Sequence, residues 1–364
     1  MSKILFVGDQ HVQVTNLDEI EKLICFIENI IDMHSPDIII LGGDMLHTHE
    51  RLHTTALNKA CEFIERMRNK RPTYVLVGNH DYEGNQQFLT TRHWLNPLKE
   101  WTNVTIIDTV TVILDNKMIL VPYVPPGRFI EALETHTELK NGNWKQAKCI
   151  FAHQEFYMCQ MGAIKSEIGD KWDENYPFVI SGHIHGRQLL QKNIFYSGSS
   201  MQHAFGESDK NILAIFHTDN LEKYYNDEIT FPEFINEIEV NLPRKKILYI
   251  DVNEIDDFNI EEKALNSDDK FKLTVSGNVE EFKALKKTKR YKQIVDSGVK
   301  VVFKPKNIIN KENIQGNKTS DNENISNIQS EFMSVLQHLI ESSNNQYLTE
   351  SYKEIMLDSV HFLI

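Results

Sequence analysis

The sequence predicts an α/β fold built on mixed sheets, and three observations predict it. Short apolar runs rich in β-branched residues alternate with amphipathic stretches over about the first 200 residues, the pattern of strands alternating with helices. Five motifs of glycine, aspartate, asparagine and histidine each follow one of these runs directly. Asp9, Asp44 and Asn79 recur at 35-residue intervals, about one strand–helix–strand unit.

Residues 4–7 read as the opening strand. Leu17, Ile20, Leu23, Ile24, Ile27, Ile30 and Ile31 then repeat at helical spacing and give one apolar face. Asn16 and Glu19 resemble a capping box ahead of this helix, and Pro36 closes it. Residues 38–41 form the next strand. Ala56, Leu57, Ala60, Phe63, Ile64 and Met67 form the next amphipathic face, ahead of a strand at 74–77. Strands separated by helices pair in parallel, with the helices covering the sheet. Residues 106–121 read instead as a hairpin with Asp115 and Asn116 at its turn, which makes the sheet system mixed. Further strands are expected at 149–152, 178–180 and 194–196.

At 364 residues the chain has room for about two domains and an appendage. Residues 1–240 are expected to form the first. From about Pro243 come three strand-like runs, 247–252, 271–275 and 299–303, with a lysine-rich helical stretch at 279–295 between the last two. They predict a small α/β capping unit over 241–306. Residues 307–329 are rich in Asn, Lys, Ser and Glu and poor in apolar residues, which predicts a flexible linker. Residues 330–364 read as two amphipathic helices, one carrying Phe332, Leu336 and Leu339, the other Leu348, Tyr352 and Ile355. Two such helices alone are marginal in water, so they predict a partner surface.

Composition excludes several classes. Hydrophobic residues at 41% and charged residues at 25% exclude a wholly disordered chain. No stretch approaches the ~18 apolar residues of a membrane span. The run at 4–7 is broken by Gly8 and Asp9 and is too short for a signal peptide. Cys25, Cys61, Cys149 and Cys159 form no C-x-x-C pair and read as reduced thiols of a cytoplasmic protein. The net charge of −13 by itself argues against nucleic acid, whose affinity rests on Lys and Arg meeting phosphate.

The chemistry lies in the five motifs: Gly8-Asp9-Gln10-His11, Gly42-Gly43-Asp44, Gly78-Asn79-His80-Asp81, Phe151-Ala152-His153 and Gly182-His183-Ile184-His185-Gly186. Ligands of open α/β sheets sit beyond the carboxyl ends of strands, so all five loops are expected at one crevice. Asp9 and His11 are one residue apart, as are His183 and His185, and in extended backbone such pairs point the same way. Asp, His and Asn are oxygen and nitrogen donors, a set that suits manganese, iron or zinc better than a sulfur-rich structural zinc site. Asp44, alone at a strand end, is placed to bridge two ions. Two divalent ions ~3.5–4 Å apart hold a hydroxide for in-line attack on phosphorus and neutralise the phosphate oxygens.

These motifs resemble those of the calcineurin-like metallophosphoesterases over roughly residues 1–215. The resemblance implies two mixed β-sheets sandwiched between helices. It implies a first metal on Asp9, His11 and His185, a second on Asn79, His153 and His183, and Asp44 between them. It gives His80 the role of general acid or transition-state stabiliser, since a non-ligand imidazole near neutral pKa can protonate a leaving alkoxide. Asp81 follows as a residue orienting His80 or shaping the turn. Asp44-Met45-Leu46-His47 further resembles the Asp-Leu-Phe-His of SbcD-like DNA repair nucleases. So does Tyr196-Ser197-Gly198-Ser199-Ser200, continuing to Phe205-Gly206-Glu207. The layout resembles compact phage- or virus-encoded members. His11-Val12-Gln13 departs from the Leu-Gly that follows the histidine in relatives, and alters no ligand.

This subgroup implies a manganese-dependent DNA nuclease, a 3′-to-5′ exonuclease and single-strand endonuclease for end processing in recombination and repair. It implies a homodimer whose terminal helices dock on an SMC-like ATPase, in the host cytoplasm for a viral member. His47 reads as a substrate or supporting contact, His49 and His53 as solvated helix-start residues, and Gln154 and Glu155, just past His153, as partners supporting the ligands or, by default, exposed. Lys283, Lys286, Lys287, Lys289, Arg290 and Lys292 form a basic stripe expected to contact the phosphate backbone. Protein phosphatases of the superfamily use Gly-Asp-x-x-Asp-Arg-Gly and Gly-Asn-His-Glu, which this chain lacks. A small-molecule or cyclic-nucleotide phosphodiesterase is the alternative.

Overall fold

The computed structural model describes residues 3–48, 52–84, 86–113, 118–208, 210–256, 258–259 and 267–306. Strands β1 (Lys3–Val7), β2 (Ile38–Leu41), β3 (Thr73–Leu76) and β4 (Val104–Ile107) pair in parallel. Helices α1 (Leu17–His34) and α2 (Thr54–Lys70) provide the first two crossovers. A second set comprises β5 (Thr111–Ile113), β6 (Met118–Val121), β7 (Cys149–His153), β10 (Phe178–Gly182), β11 (Gln188–Gln191) and β12 (Ile194–Tyr196). A small hairpin, β8 (Gln160–Met161) and β9 (Ile164–Lys165), interrupts that set. Finally β13 (Ile212–His217) and β14 (Ile235–Glu239) return antiparallel to the first sheet. The two six-stranded sheets run β14-β13-β1-β2-β3-β4 and β11-β12-β10-β7-β6-β5.

Strand alternation explains the layers. Successive side chains point to opposite faces, so Ile4 and Phe6 of β1 look one way and Leu5 and Val7 the other. Ile4, Phe6, Ile40 and Leu76 meet Leu120, Phe151, Ile180 and Phe195 in one apolar layer between the sheets. Leu5, Val7, Ile39 and Leu41 pack instead on α1 and α2 through Ile20, Ile24, Ile27, Phe63 and Ile64. On the outer face of the second sheet, Ile119, Ile150 and Val179 pack against α3 (Phe129–Thr135) and Trp144. The result is helix, sheet, sheet, helix: two mixed sheets between helices, as expected.

Three local expectations are corrected. The hairpin is β5 with β6 alone, while Ile106 and Ile107 belong to β4 and pair with β3 in the other sheet; a short connection after β4 lets the chain change sheets. Asn16 makes no capping bond; its side chain accepts from the Gln13 amide at 2.9 Å and donates to the His11 carbonyl at 3.0 Å, which ties down the first motif loop. The single lysine-rich helix is two, Val279–Leu285 and Lys289–Asp296, because the Thr288 side chain caps the second by accepting from the Tyr291 amide. Helix α1 does end ahead of Pro36, where Ser35 turns left-handed at φ 46°.

A separate three-stranded parallel sheet, β15 (Lys245–Asp251), β16 (Lys270–Gly277) and β17 (Lys300–Pro305), carries those two helices. Its own core gathers Ile250, Leu273, Val275, Phe282, Leu285 and Ile294. The β15 end is fastened near the motif loops: the Lys245 amide donates to Gln202 Oε1 at 2.7 Å, and Lys270 pairs with Glu19 of α1. Among the described residues no helix is long and apolar enough to cross a membrane, and none of the four cysteines is in a disulfide. The expected turn at Asp115-Asn116, His49, the linker at 307–329 and the helices at 330–364 lie outside the described residues.

The layer between the sheets makes a test. Phe151 is wholly buried, with its ring 6.0 Å from Phe6 and 5.7 Å from Phe216. Phe151→Ala is expected to cost about 3–5 kcal/mol in urea unfolding; a cost below about 1 kcal/mol would contradict this packing.

Candidate dinuclear metal centre

All five motif loops leave the carboxyl ends of strands β1, β2, β3, β7 and β10, and they meet. The loops lock each other by backbone bonds, as in the His11 amide donating to the Asp44 carbonyl at 2.9 Å. Three of the expected ligands sit in the left-handed region: His11 at φ 44°, Asp44 at 52° and His183 at 79°. Non-glycine residues there cost on the order of 1–3 kcal/mol each and persist only where the surroundings impose them. Gly78 is glycine because a Cβ there would overlap the Asp44 carboxylate. A Cβ on Gly43, at φ 99°, would likewise crowd the His153 ring.

The donors form three overlapping clusters: Asp9, His11 and His185; His11, Asp44 and His80; Asp44, His153 and His183. Within each, the donor atoms lie within 4.8 Å of one another. Asp44 Oδ2 is 3.5 Å from His11 Nε2 and 3.4 Å from His153 Nε2, so it stands between the outer two clusters. Asn79 Oδ1 joins the second group, 3.0 Å from His153 Nε2 and 2.8 Å from His183 Nδ1. His11 Nε2 and His185 Nε2 face each other at 3.0 Å. The structure thus brings together all seven residues expected as ligands.

These residues fit a pair of divalent ions. His153 spends Nδ1 on the Gly42 carbonyl at 2.7 Å, and His185 spends Nδ1 on Glu207 Oε1 at 3.0 Å. Each ring therefore turns Nε2 toward the centre, the outer hydrogen bond setting the tautomer as it does for metal-ligating histidines. The donors are all oxygen or nitrogen, and the Asp44 carboxylate shared by two of the clusters would be the group common to both ions.

Burial and charge shape the titration of the group. Burial pushes Asp9 up. For Asp44 burial is outweighed by His153 and His11, which hold it well below the usual carboxylate range. Burial disfavours the charged form of His153, yet Asp44 and Asp9 raise it to about 9. His11 is lowered well below the usual imidazole range by burial.

His80 is half-buried at the edge of the donors. Its amide donates to Asp44 Oδ1 at 2.8 Å, and its Nδ1 meets the His47 carbonyl at 2.8 Å. The His47 and His80 rings stack at 5.9 Å with only 10° between their planes. Asp81 sits under the loops: its carboxylate accepts from the amides of Met45 at 3.1 Å and Gly78 at 3.0 Å, and from Trp94 Nε1 at 2.8 Å. Burial and the Asp44 charge push it up to about 7. Asp81 thus shapes the turn that carries Asn79 and His80.

Sequence reasoning missed several supports. His203 Nε2 reaches the Asp9 carbonyl at 3.0 Å, and burial with His185 alongside pushes its pKa down to about 3. Glu207 was visible only as part of Phe-Gly-Glu. It accepts from the His203 and Ala204 amides at 2.6 and 3.0 Å; these bonds and His185 hold it at about 2 against burial. Gln154 and Glu155 are buried rather than exposed: Gln154 donates to Asp170 at 2.7 Å, and Glu155 lies 3.8 Å from His183 Nε2. His53 caps α2, its Nδ1 accepting from the Thr55 amide. Lys286 and Lys287 are exposed in the turn between the two helices and Lys289 is exposed at the start of the second, while Arg290 is half-buried and binds the Ile255 and Phe258 carbonyls.

Asp81→Ala leaves buried N–H groups of Met45, Gly78 and Trp94 without acceptors. It is expected to lower stability by about 3 kcal/mol or more in denaturant unfolding. A loss under about 1 kcal/mol would mean that those bonds carry no weight.

Comparison with known proteins agrees with this geometry. A protein of Invertebrate iridescent virus 6 named as a phosphoesterase, 244L, is 49% identical over 293 residues, 79% of this chain and 98% of the relative. Another, 078R of Invertebrate iridescent virus 3, is 46% identical over 306 residues, 83% of this chain and 84% of the relative. The DNA double-strand break repair protein Mre11 of Methanococcus maripaludis is 23% identical over 285 residues, 75% of this chain and 72% of that protein. The family model for calcineurin-like phosphoesterase matches residues 2–187, which span all five motif loops, and with relatives this similar the chain belongs to the calcineurin-like phosphoesterase family.

Proposed function

We propose that this phosphoesterase is a manganese-dependent DNA nuclease, a 3′-to-5′ exonuclease and single-strand endonuclease that forms the nuclease subunit of an SbcCD-like complex. The observation that carries the reading is the coupling of His80 to the Asp44–His47 run, the same run that resembles the DNA repair nucleases. Similarity to an archaeal DNA double-strand break repair protein supports the substrate. In the same reading the protein is a cytoplasmic homodimer, and the helices at 330–364 dock on an SMC-like ATPase.

Divalent ions held by the seven donors would supply Lewis-acid polarisation of the phosphoryl oxygens and activation of the attacking water. The chain's own contribution is positioning and proton transfer. His80 donates its Nδ1–H to the His47 carbonyl, which leaves Nε2 free; in the imidazolium form the Nε2–H is the proton given to the departing 3′-oxygen, and the ring is left neutral. Asp44 grips the His80 amide, so the acid and the bridging carboxylate keep a fixed separation. Glu207 and the Gly42 carbonyl hold His185 and His153 in the orientation the phosphate meets.

End-labelled DNA with manganese tests this. His80→Asn is expected to lower kcat by about 10²–10⁴-fold while bound manganese stays at the wild-type level. Undiminished cleavage would remove His80 from the chemistry. Chelation is expected to abolish cleavage and added manganese to restore it. A wild-type protein that hydrolyses a cyclic nucleotide or bis-p-nitrophenyl phosphate but leaves DNA intact would replace the nuclease reading with that of a small-molecule phosphodiesterase.

A further inference from the structure

The three-stranded sheet has two faces of opposite character. Its parallel register sets Leu248, Leu273 and Val301 in one row and Ile250, Val275 and Phe303 in another. These rows lie under the two helices. Alternate residues must point the other way, and there the rows are Ile247, Lys272 and Lys300, then Tyr249, Thr274 and Val302. Lys304 follows on the same face, beside Ser276.

That second face is unusual for a chain of net charge −13. Tyr249, in mid-strand, is 72% exposed. Lys300 and Lys304 are exposed and Lys272 half-buried; among the described residues none of the three has a carboxylate partner. Asp251, on the same face, is neutralised by Lys306. The face is also continuous with the metal centre. His185, Phe205, Gly206 and Glu207 line a cleft of about 570 Å³. Lys272 Nζ stands 6.0 Å over the Phe205 ring, and Ile247 is the side chain nearest to Gly206. The lysine stripe foreseen on the helices lies on the opposite side of this sheet. There Lys283 pairs with Glu280 at 2.9 Å, and Arg290 is bound to backbone carbonyls.

We propose that the Tyr249 face of this sheet is the track for a single DNA strand running into the His185 cleft. Tyr249 stacks on an unpaired base, and Lys272, Lys300 and Lys304 meet consecutive phosphates. An exposed aromatic flanked by unpaired lysines matches what single strands require, a π-face for any base and cations along the backbone. The inference rests on the nuclease reading and names the surface that reading needs.

Fluorescence anisotropy of a labelled single-stranded oligonucleotide on the full chain, with chelator present to stop cleavage, tests it. Tyr249→Ala is expected to weaken binding about tenfold and Tyr249→Phe to restore it. The triple variant Lys272→Glu, Lys300→Glu and Lys304→Glu is expected to flatten the dependence of log affinity on log salt by about 2, at ~0.7 per phosphate contact. The helix variant Lys286→Glu, Lys287→Glu and Lys289→Glu is expected to keep the wild-type slope. Thermal unfolding confirms that each variant is folded, and the lysine variant carries the test if Tyr249→Ala is not. Wild-type binding by the folded sheet variants, or loss of slope in the helix variant, would overturn the track. A wild-type protein that binds no strand yet hydrolyses bis-p-nitrophenyl phosphate would overturn the nuclease reading and the track with it.

Discussion

The Asp44 carboxylate is 2% exposed, His153 and His11 hold it well below the usual carboxylate range, and most of the structure around it serves to make a buried charge there tolerable. A buried charge without partners is strongly unfavourable. Here His11 and His153 approach one oxygen and the His80 amide the other. Each partner comes from a different strand end, so the compensation needs β1, β3 and β7 to end at one place. The close approach also needs Gly43 and Gly78, whose missing side chains leave the space the carboxylate and the His153 ring fill. Left-handed backbone at His11, Asp44 and His183 is the local strain that such convergence demands.

The two-sheet core supplies the rigidity that holds this strain. The apolar layer between the sheets brings β1, β2 and β3 of one against β7 and β10 of the other, so their carboxyl ends share a rim. Below that rim, Asp81 and Trp94 hold the Asn79–His80 turn, and Asn16 holds the His11 loop. Beside it, Gln202 to Glu207 grip His185 on one side and Lys245 of the small sheet on the other. The orientation of a donor histidine and the attachment of the three-stranded sheet thereby depend on one short loop.

Much of this was legible because the relevant signals are short-range. Strand runs, helical faces and the five motifs are patterns over a few residues, and the spacing of Asp9, Asp44 and Asn79 reflects a repeated crossover unit. What escaped was long-range. No local pattern tells that β4 and β5, four residues apart, belong to different sheets. His203 looks like an ordinary loop histidine until the fold lays it on the Asp9 carbonyl. Gln154 and Glu155 read as exposed because polar residues usually are, yet Asp170 and His183 draw them inside. The lysine-rich stretch drew attention to a helix because its lysines are consecutive. The lysines of the sheet face, Lys272, Lys300 and Lys304, come together only through strand register.

The account depends on Asp44 serving both halves of one dinuclear site. Calorimetric titration of manganese into metal-depleted protein tests this most directly. About two ions per chain are predicted for the wild type, and Asp44→Asn should lose tight binding of both, since each half shares the carboxylate. Wild-type protein that takes up one ion, or an Asp44→Asn variant that binds two with unchanged affinity, would contradict it.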